Sequence, residues 1–133
     1  MKKFILIIAI ILCGCSSMGG NGPANFDNNE YALINKIYTL SEAYKIGCGD
    51  REINNKNFSN LSELSLELVN YSTDIPNNVD TINLVMPLNK MISDANIIFK
   101  TENHNILYCK LKLDNIETAA GIVKSAVAKR RRK

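Results

Sequence analysis

Histidine is nearly missing from this chain: His104 is the only one in 133 residues. Metal centres, proton shuttles and nucleophile-activating bases draw heavily on that side chain. His104 falls in Thr101-Glu102-Asn103-His104-Asn105, a polar run that reads as an exposed loop. The sequence contains no Cys-x-x-Cys, no His-Glu-x-x-His, no Gly-x-Ser-x-Gly and no Gly-rich phosphate loop. Glu63 and Glu67 lie one helical turn apart, on a face that reads as solvated. The five tyrosines suit a core or its rim better than a ligand platform. These absences lead away from an enzyme: no catalytic residue, metal site, cofactor or small-molecule substrate is expected. A long apolar run is also lacking. Phe4 to Leu12 is too short to cross a bilayer as a stable helix, which takes about 20 residues.

What stands at the N-terminus is nevertheless distinctive. Lys2 and Lys3 precede the apolar Phe4–Leu12 run, and Leu12-Cys13-Gly14-Cys15 closes it. The pattern resembles a bacterial lipoprotein signal peptide with its lipobox. That resemblance implies removal of residues 1–14 and acylation of Cys15, palmitate included, to give a membrane anchor. One acyl chain holds a protein marginally, whereas several anchor it stably. Ser16 and Ser17 follow Cys15, with no Asp after it. In lipoproteins of diderm bacteria this implies the outer membrane, with the domain in the periplasm.

Charge divides unevenly along the chain. Beyond residue 14 there are 14 basic and 13 acidic residues, and five of those bases are Lys129, Arg130, Arg131, Arg132 and Lys133. The body between is net negative, at about −4. Such a body argues against nucleic-acid binding, as does export. The terminal cations suit a helix C-terminus, where the macrodipole is negative. Alternatively, they contact anionic headgroups or an acidic partner.

Two of the four cysteines belong to the export signal, leaving Cys48 and Cys109. An even pair in an oxidising compartment favours a disulfide. Two separate buried thiols are the alternative. Metal binding is the weaker option, with His104 alone as a soft partner.

The body reads as helices. Residues 15–26 form a Gly, Ser, Asn and Pro tether, and residues 27–128 a helical domain. Asp27 and Glu30 make a capping box, with Phe26 and Tyr31 as its staple. Leu33, Ile37, Leu40, Tyr44 and Cys48 then share one face, and Gly47 and Gly49 end the helix. Asp50 to Asn57 reads as a loop. A second capping box at Asn60 and Glu63 opens a helix carrying Leu61, Leu64, Leu68 and Tyr71, and Pro76 marks a turn. The third helix begins near Asp80, with Leu84, Leu88, Met91, Ala95 and Ile98 in one row and Val85, Ile92 and Phe99 beside it. Pro87 predicts a kink or restart. In Ile106–Leu113 apolar residues alternate with Tyr108, Lys110 and Lys112, a strand period without a partner strand. The segment is thus extended, an edge for another chain, or the start of a helix. Asp114 and Glu117 make a third capping box, and Ile116, Ala120, Val123 and Val127 line the helix that follows. The expected fold is all-α or mainly α, a small bundle of about four helices, with one possible extended segment near 106–113.

Tyr44-Lys45-Ile46-Gly47-Cys48-Gly49-Asp50-Arg51 resembles the end of the first helix in type II secretion pilotins, and Cys109 stands where their second cysteine is expected. These small helical lipoproteins bind the tail of a secretin subunit as a helix in a groove and carry it to the outer membrane. The resemblance implies a structural role for Cys48 and Cys109 and assigns no groove residue. The function expected is therefore a lipid-anchored interaction module that docks or localises a protein of an envelope machine for secretion, pilus assembly or conjugation. The alternative is a stand-alone surface or structural lipoprotein involved in envelope or host interaction.

Overall fold

A computed structural model describes residues 22–132. Cys15 and Lys133 lie outside the described residues. Among the described residues the fold is an all-α bundle of four helices: α1 Asn28–Ala43, α2 Arg51–Asp74, α3 Val79–Thr101 and α4 Ile106–Ala128. A short 3-10 segment, Tyr44–Gly49, joins α1 to α2. The most extensive packing is α2 on α3 and α1 on α4, and α1·α2 and α3·α4 contacts complete the square. Successive helices are antiparallel. The start of α1 meets the end of α4 through a Phe26 N–H to Arg131 carbonyl bond of 2.9 Å. At the opposite end, Cys48 meets Cys109 near the start of α4.

Local chemistry accounts for most of the helix boundaries. Asp27 caps α1, its carboxylate accepting from the Asn29 and Glu30 N–H groups at 2.9 Å. Asp50 caps α2 by accepting from Ile53 N–H at 3.0 Å, and Asn105 caps α4 by accepting from Tyr108 N–H at 2.8 Å. The α2–α3 turn runs through Asn77 at φ 60°, a left-handed geometry that asparagine tolerates.

Two segments depart from the reading of the sequence. Residues 51–57, expected as loop, form the first two turns of α2 and bury Asn54 at the 3-10 segment. Asn54 donates to the Cys48 carbonyl at 3.1 Å, bracing the junction of the 3-10 segment with α2. Residues 106–113 are helix throughout, so the extended segment does not exist. Cys109 and Leu113 are buried four apart and continue into Ile116, Ala120, Val123 and Val127. Leu107 and Leu111, which produced the apparent alternation, face solvent. The Asn60/Glu63 and Asp114/Glu117 pairs accordingly lie inside helices and do not open them.

Pro87 lies within the continuous helix α3. It leaves the Asn83 carbonyl without its amide partner, and both residues are exposed. The buried row of α3 is Val85, Leu88, Ile92, Ala95 and Phe99, whereas Met91 is exposed. On α1 the core side chains are Ile34 and Ile37, with Leu33, Leu40 and Tyr44 packed at its edge. Phe58 stacks on Phe99 with ring centroids 4.2 Å apart, fastening α2 to α3 beneath the disulfide end.

Candidate interaction surface

The bundle has two chemically different ends. The first holds the 3-10 segment, the start of α2, the end of α3 and the start of α4. Cys48 and Cys109 are bonded here, with S–S 2.07 Å and Cα–Cα 5.6 Å, and both are buried. The disulfide thus clamps the exit of α1 to the first turn of α4. Around it lie five of the eleven large apolar side chains exposed among the described residues. Ile46 is 94% exposed and Leu107 78%, with Ile53, Ile106 and Leu111 each about half exposed. Ile106 packs close to Gly49, and Gly47 lies against Ile53, so these residues rim one end of the molecule. Nothing in the period of α4 required Leu107 and Leu111 to be apolar, since Cys109 and Leu113 carry the core contact.

Beside this rim lies a cleft of about 460 Å³, lined by Cys48, Arg51, Asn54, Phe99, Glu102 and His104 among others. His104 belongs to the loop between α3 and α4, as expected, but it is not solvated. Its side chain is 17% exposed, stacks on Tyr108 at 4.4 Å and meets the Phe99 ring edge at 5.2 Å. Its Nε2 lies 3.4 Å from the Glu102 carboxylate. Histidine here is an aromatic packing element at the edge of the core.

Lys45, next to Ile46, faces three carboxylates. It reaches Asp114 at 2.5 Å, Glu117 at 2.6 Å, and Glu42 one turn earlier. Hydrogen bonds to Asp114, Glu117 and Glu42 hold the ammonium well above the ordinary lysine range. The Lys45 hydrogen bond, followed by one from Glu117, draws the Glu42 carboxyl below its ordinary value. The Asp114/Glu117 pair that looked like a cap is therefore a helix-interior receptor for a lysine from another element.

The second end holds the start of α1, the α2–α3 turn and the end of α4. Ala24 N–H donates to the Asn77 carbonyl at 3.1 Å, and Phe26 N–H to Arg131. Residues 24–26, read as tether, thus lie against the bundle. Glu30 does not turn back to its own cap. Its carboxylate is fully buried, accepting from Asn78 Nδ2 at 2.6 Å and pairing with Arg130 at 3.2 Å. The Arg130 guanidinium, 9% exposed, also donates to the Thr81 hydroxyl. Of the terminal cations, Arg130 is turned inward, while Lys129, Arg131 and Arg132 are exposed. Arg132 lies over the Phe26 ring at 4.7 Å. Sequence periodicity had no means of revealing the Glu30–Arg130 pair. The one available signal was that Glu30 lies on the same helix face as Ile34 and Ile37.

Among the described residues, no group of three His, Cys, Asp or Glu is placed to hold a metal ion, and no helix is long and apolar enough to cross a membrane. The chain matches no protein-family model, no curated protein and no solved structure.

Proposed function

We propose that this protein is a lipid-anchored interaction module. Cys15 carries the anchor, and the disulfide-clamped end of the bundle docks a protein partner of an envelope machine. The observation that carries the docking surface is the solvent-exposed apolar rim of Ile46, Ile106, Leu107 and Leu111 around a buried disulfide. Isolated apolar residues on a surface need no explanation, but several at one end mark an interaction site. A rigid support makes such a site effective, and the Cys48–Cys109 bond with the Phe58–Phe99 stack supplies one. The clamp from the end of the first helix to a late helix also supports the resemblance to pilotins, which bind a helix of their partner.

Crosslinking in membranes tests this reading. The native protein is expected to capture a defined envelope-machine subunit, and an Ile46→Asp/Leu107→Asp variant of unchanged thermal stability is expected to lose it. Capture of the same proteins by both forms would reject the rim as the docking surface. Salt-resistant membrane fractionation of a Cys15→Ala variant would reject the anchor.

A further inference from the structure

The end of the bundle opposite the apolar rim carries the terminal cations. Lys129, Arg131 and Arg132 follow the last turn of α4 and are exposed. None of them forms an ion pair among the described residues, whereas Arg130 is neutralised by buried Glu30. The segment is held in place: Arg131 accepts the Phe26 N–H through its carbonyl, Arg130 is bound to Glu30 and Thr81, and Arg132 covers Phe26. Ordered cations lose less conformational entropy on binding than a loose tail does.

The chain enters the bundle at this same end. Gly22 is seven residues from Cys15, a span of at most about 25 Å when fully extended. An anchor on Cys15 therefore keeps the basic end close to the lipid surface. Besides buried Glu30, paired with Arg130, three described carboxylates share this end, and two of them are tempered by their place. Asp27 accepts from two amides and the Tyr71 hydroxyl, and Asp80 sits in the first turn of α3, where the helix dipole offsets its charge. Asp74 closes α2 one turn before Asn77 and is the one carboxylate with no such compensation.

We infer that Lys129, Arg131 and Arg132 seat this end of the domain on anionic phospholipid headgroups, so that the bundle stands end-on. The apolar rim is then held about 35 Å away, the length of the 23-residue α4. This inference rests on the lipid-anchored reading, which brings the cations within reach. Each cation near an anionic surface adds roughly fivefold to the partition, and salt weakens the effect.

The test uses the full lipidated protein, as processed in cells, in vesicles of neutral lipid and in vesicles containing anionic phospholipid. The readout is the rate at which an amine reagent modifies Lys129 relative to exposed Lys110 at the far end, followed by mass spectrometry. Lys129 is expected to react roughly tenfold more slowly on anionic vesicles than on neutral ones. Lys110 is expected to be unchanged. High salt and an Arg131→Gln/Arg132→Gln variant are each expected to abolish the difference. Equal Lys129 rates on protein that floats with both vesicle types would overturn the inference and leave the anchor intact. Protein that floats only with anionic vesicles, and loses this in the variant, would overturn the anchor and retain the cationic contact. Flotation with neither would overturn both.

Discussion

Glu30 and Arg130 stand 100 residues apart in the chain and 3.2 Å apart in the fold, the carboxylate fully buried and the guanidinium nearly so. Their pairing joins the first turn of α1 to the residues after α4, and Asn78 and Thr81 extend it to the start of α3. Removing one charge from such a pair strands the other in a low-dielectric site. Arg130→Met is expected to lower stability by about 3–5 kcal/mol, and Glu30→Met/Arg130→Met together to restore most of that loss. Urea unfolding of the two variants against the native protein measures both. A loss under about 1 kcal/mol for Arg130→Met would mean that Glu30 finds compensation elsewhere.

The Lys45 cluster makes a prediction in pH. The Glu42 carboxyl is held below its ordinary value, so the folded state binds its proton less readily than the unfolded chain does. Its contribution is therefore present above the ordinary carboxyl value of 4.5 and is lost as pH falls toward the folded value. Lys45 is held above its ordinary 10.5, so its contribution is complete below that pH and is lost as pH rises through the folded value. Lys45→Met removes the alkaline loss and leaves three carboxylates facing one another. Its destabilisation is expected to be larger at pH 7 than at about pH 3, because the native protein loses the Glu42 share of the contact as pH falls below 4.5. Thermal unfolding across that range decides it, and a pH-independent effect would argue that the lysine stem, not its charge, matters.

Cys48 and Cys109 close a 61-residue separation. Cross-linking a loop of that size stabilises a fold by about 4 kcal/mol on the chain-entropy view. Replacing both cysteines by alanine is expected to lower the urea midpoint accordingly, with reductant having the same effect on the native protein and none on the variant. Identical midpoints for native protein with and without reductant would show that the bond does not constrain the unfolded chain.

Pro87 offers a gain in stability. Alanine in its place supplies the missing N–H to the Asn83 carbonyl and relieves the ring clash, while losing the proline's restraint on the unfolded chain. Both positions are exposed, so no core contact is disturbed. Pro87→Ala is expected to raise stability by about 1–3 kcal/mol. A loss on guanidinium unfolding would mean that the proline shapes α3 in a way the packing needs.

Much of the bundle was legible because its signals are local. The Asp27 cap, the start of α3 within a residue of Asp80, and the Leu61, Leu64 and Leu68 stripe each depend on spacings of a few residues. So does the late face of Ile116, Ala120, Val123 and Val127. The errors share a cause. Leu107 and Leu111 imitated a strand because surface residues are free to be apolar when something outside the core selects them. Asp114 and Glu117 imitated a cap because the same residue types that accept backbone N–H groups also accept a lysine. The loop reading of 51–57 failed because the segment is polar, and what holds it is the Asp50 cap, the Asn54 bond back to the Cys48 carbonyl six residues earlier, and the packing of Phe58 just beyond it on Phe99.

Local pattern alone is enough to give most of the elements: about four amphipathic helices, a cysteine at the end of the first and another late in the chain, and a cluster of cations after the last turn. Periodicity and capping act within one or two turns, and they need no knowledge of the fold. How those elements divide their side chains between core and solvent comes from the closing of the bundle. It turned Arg130 inward to Glu30 and left Lys129, Arg131 and Arg132 exposed, and it placed Ile46 and Leu107 outside at the opposite end. A charge or an apolar side chain carries no label for its destination. Burial is set by what lies opposite when the helices close, and that is a property of residues far apart in the chain.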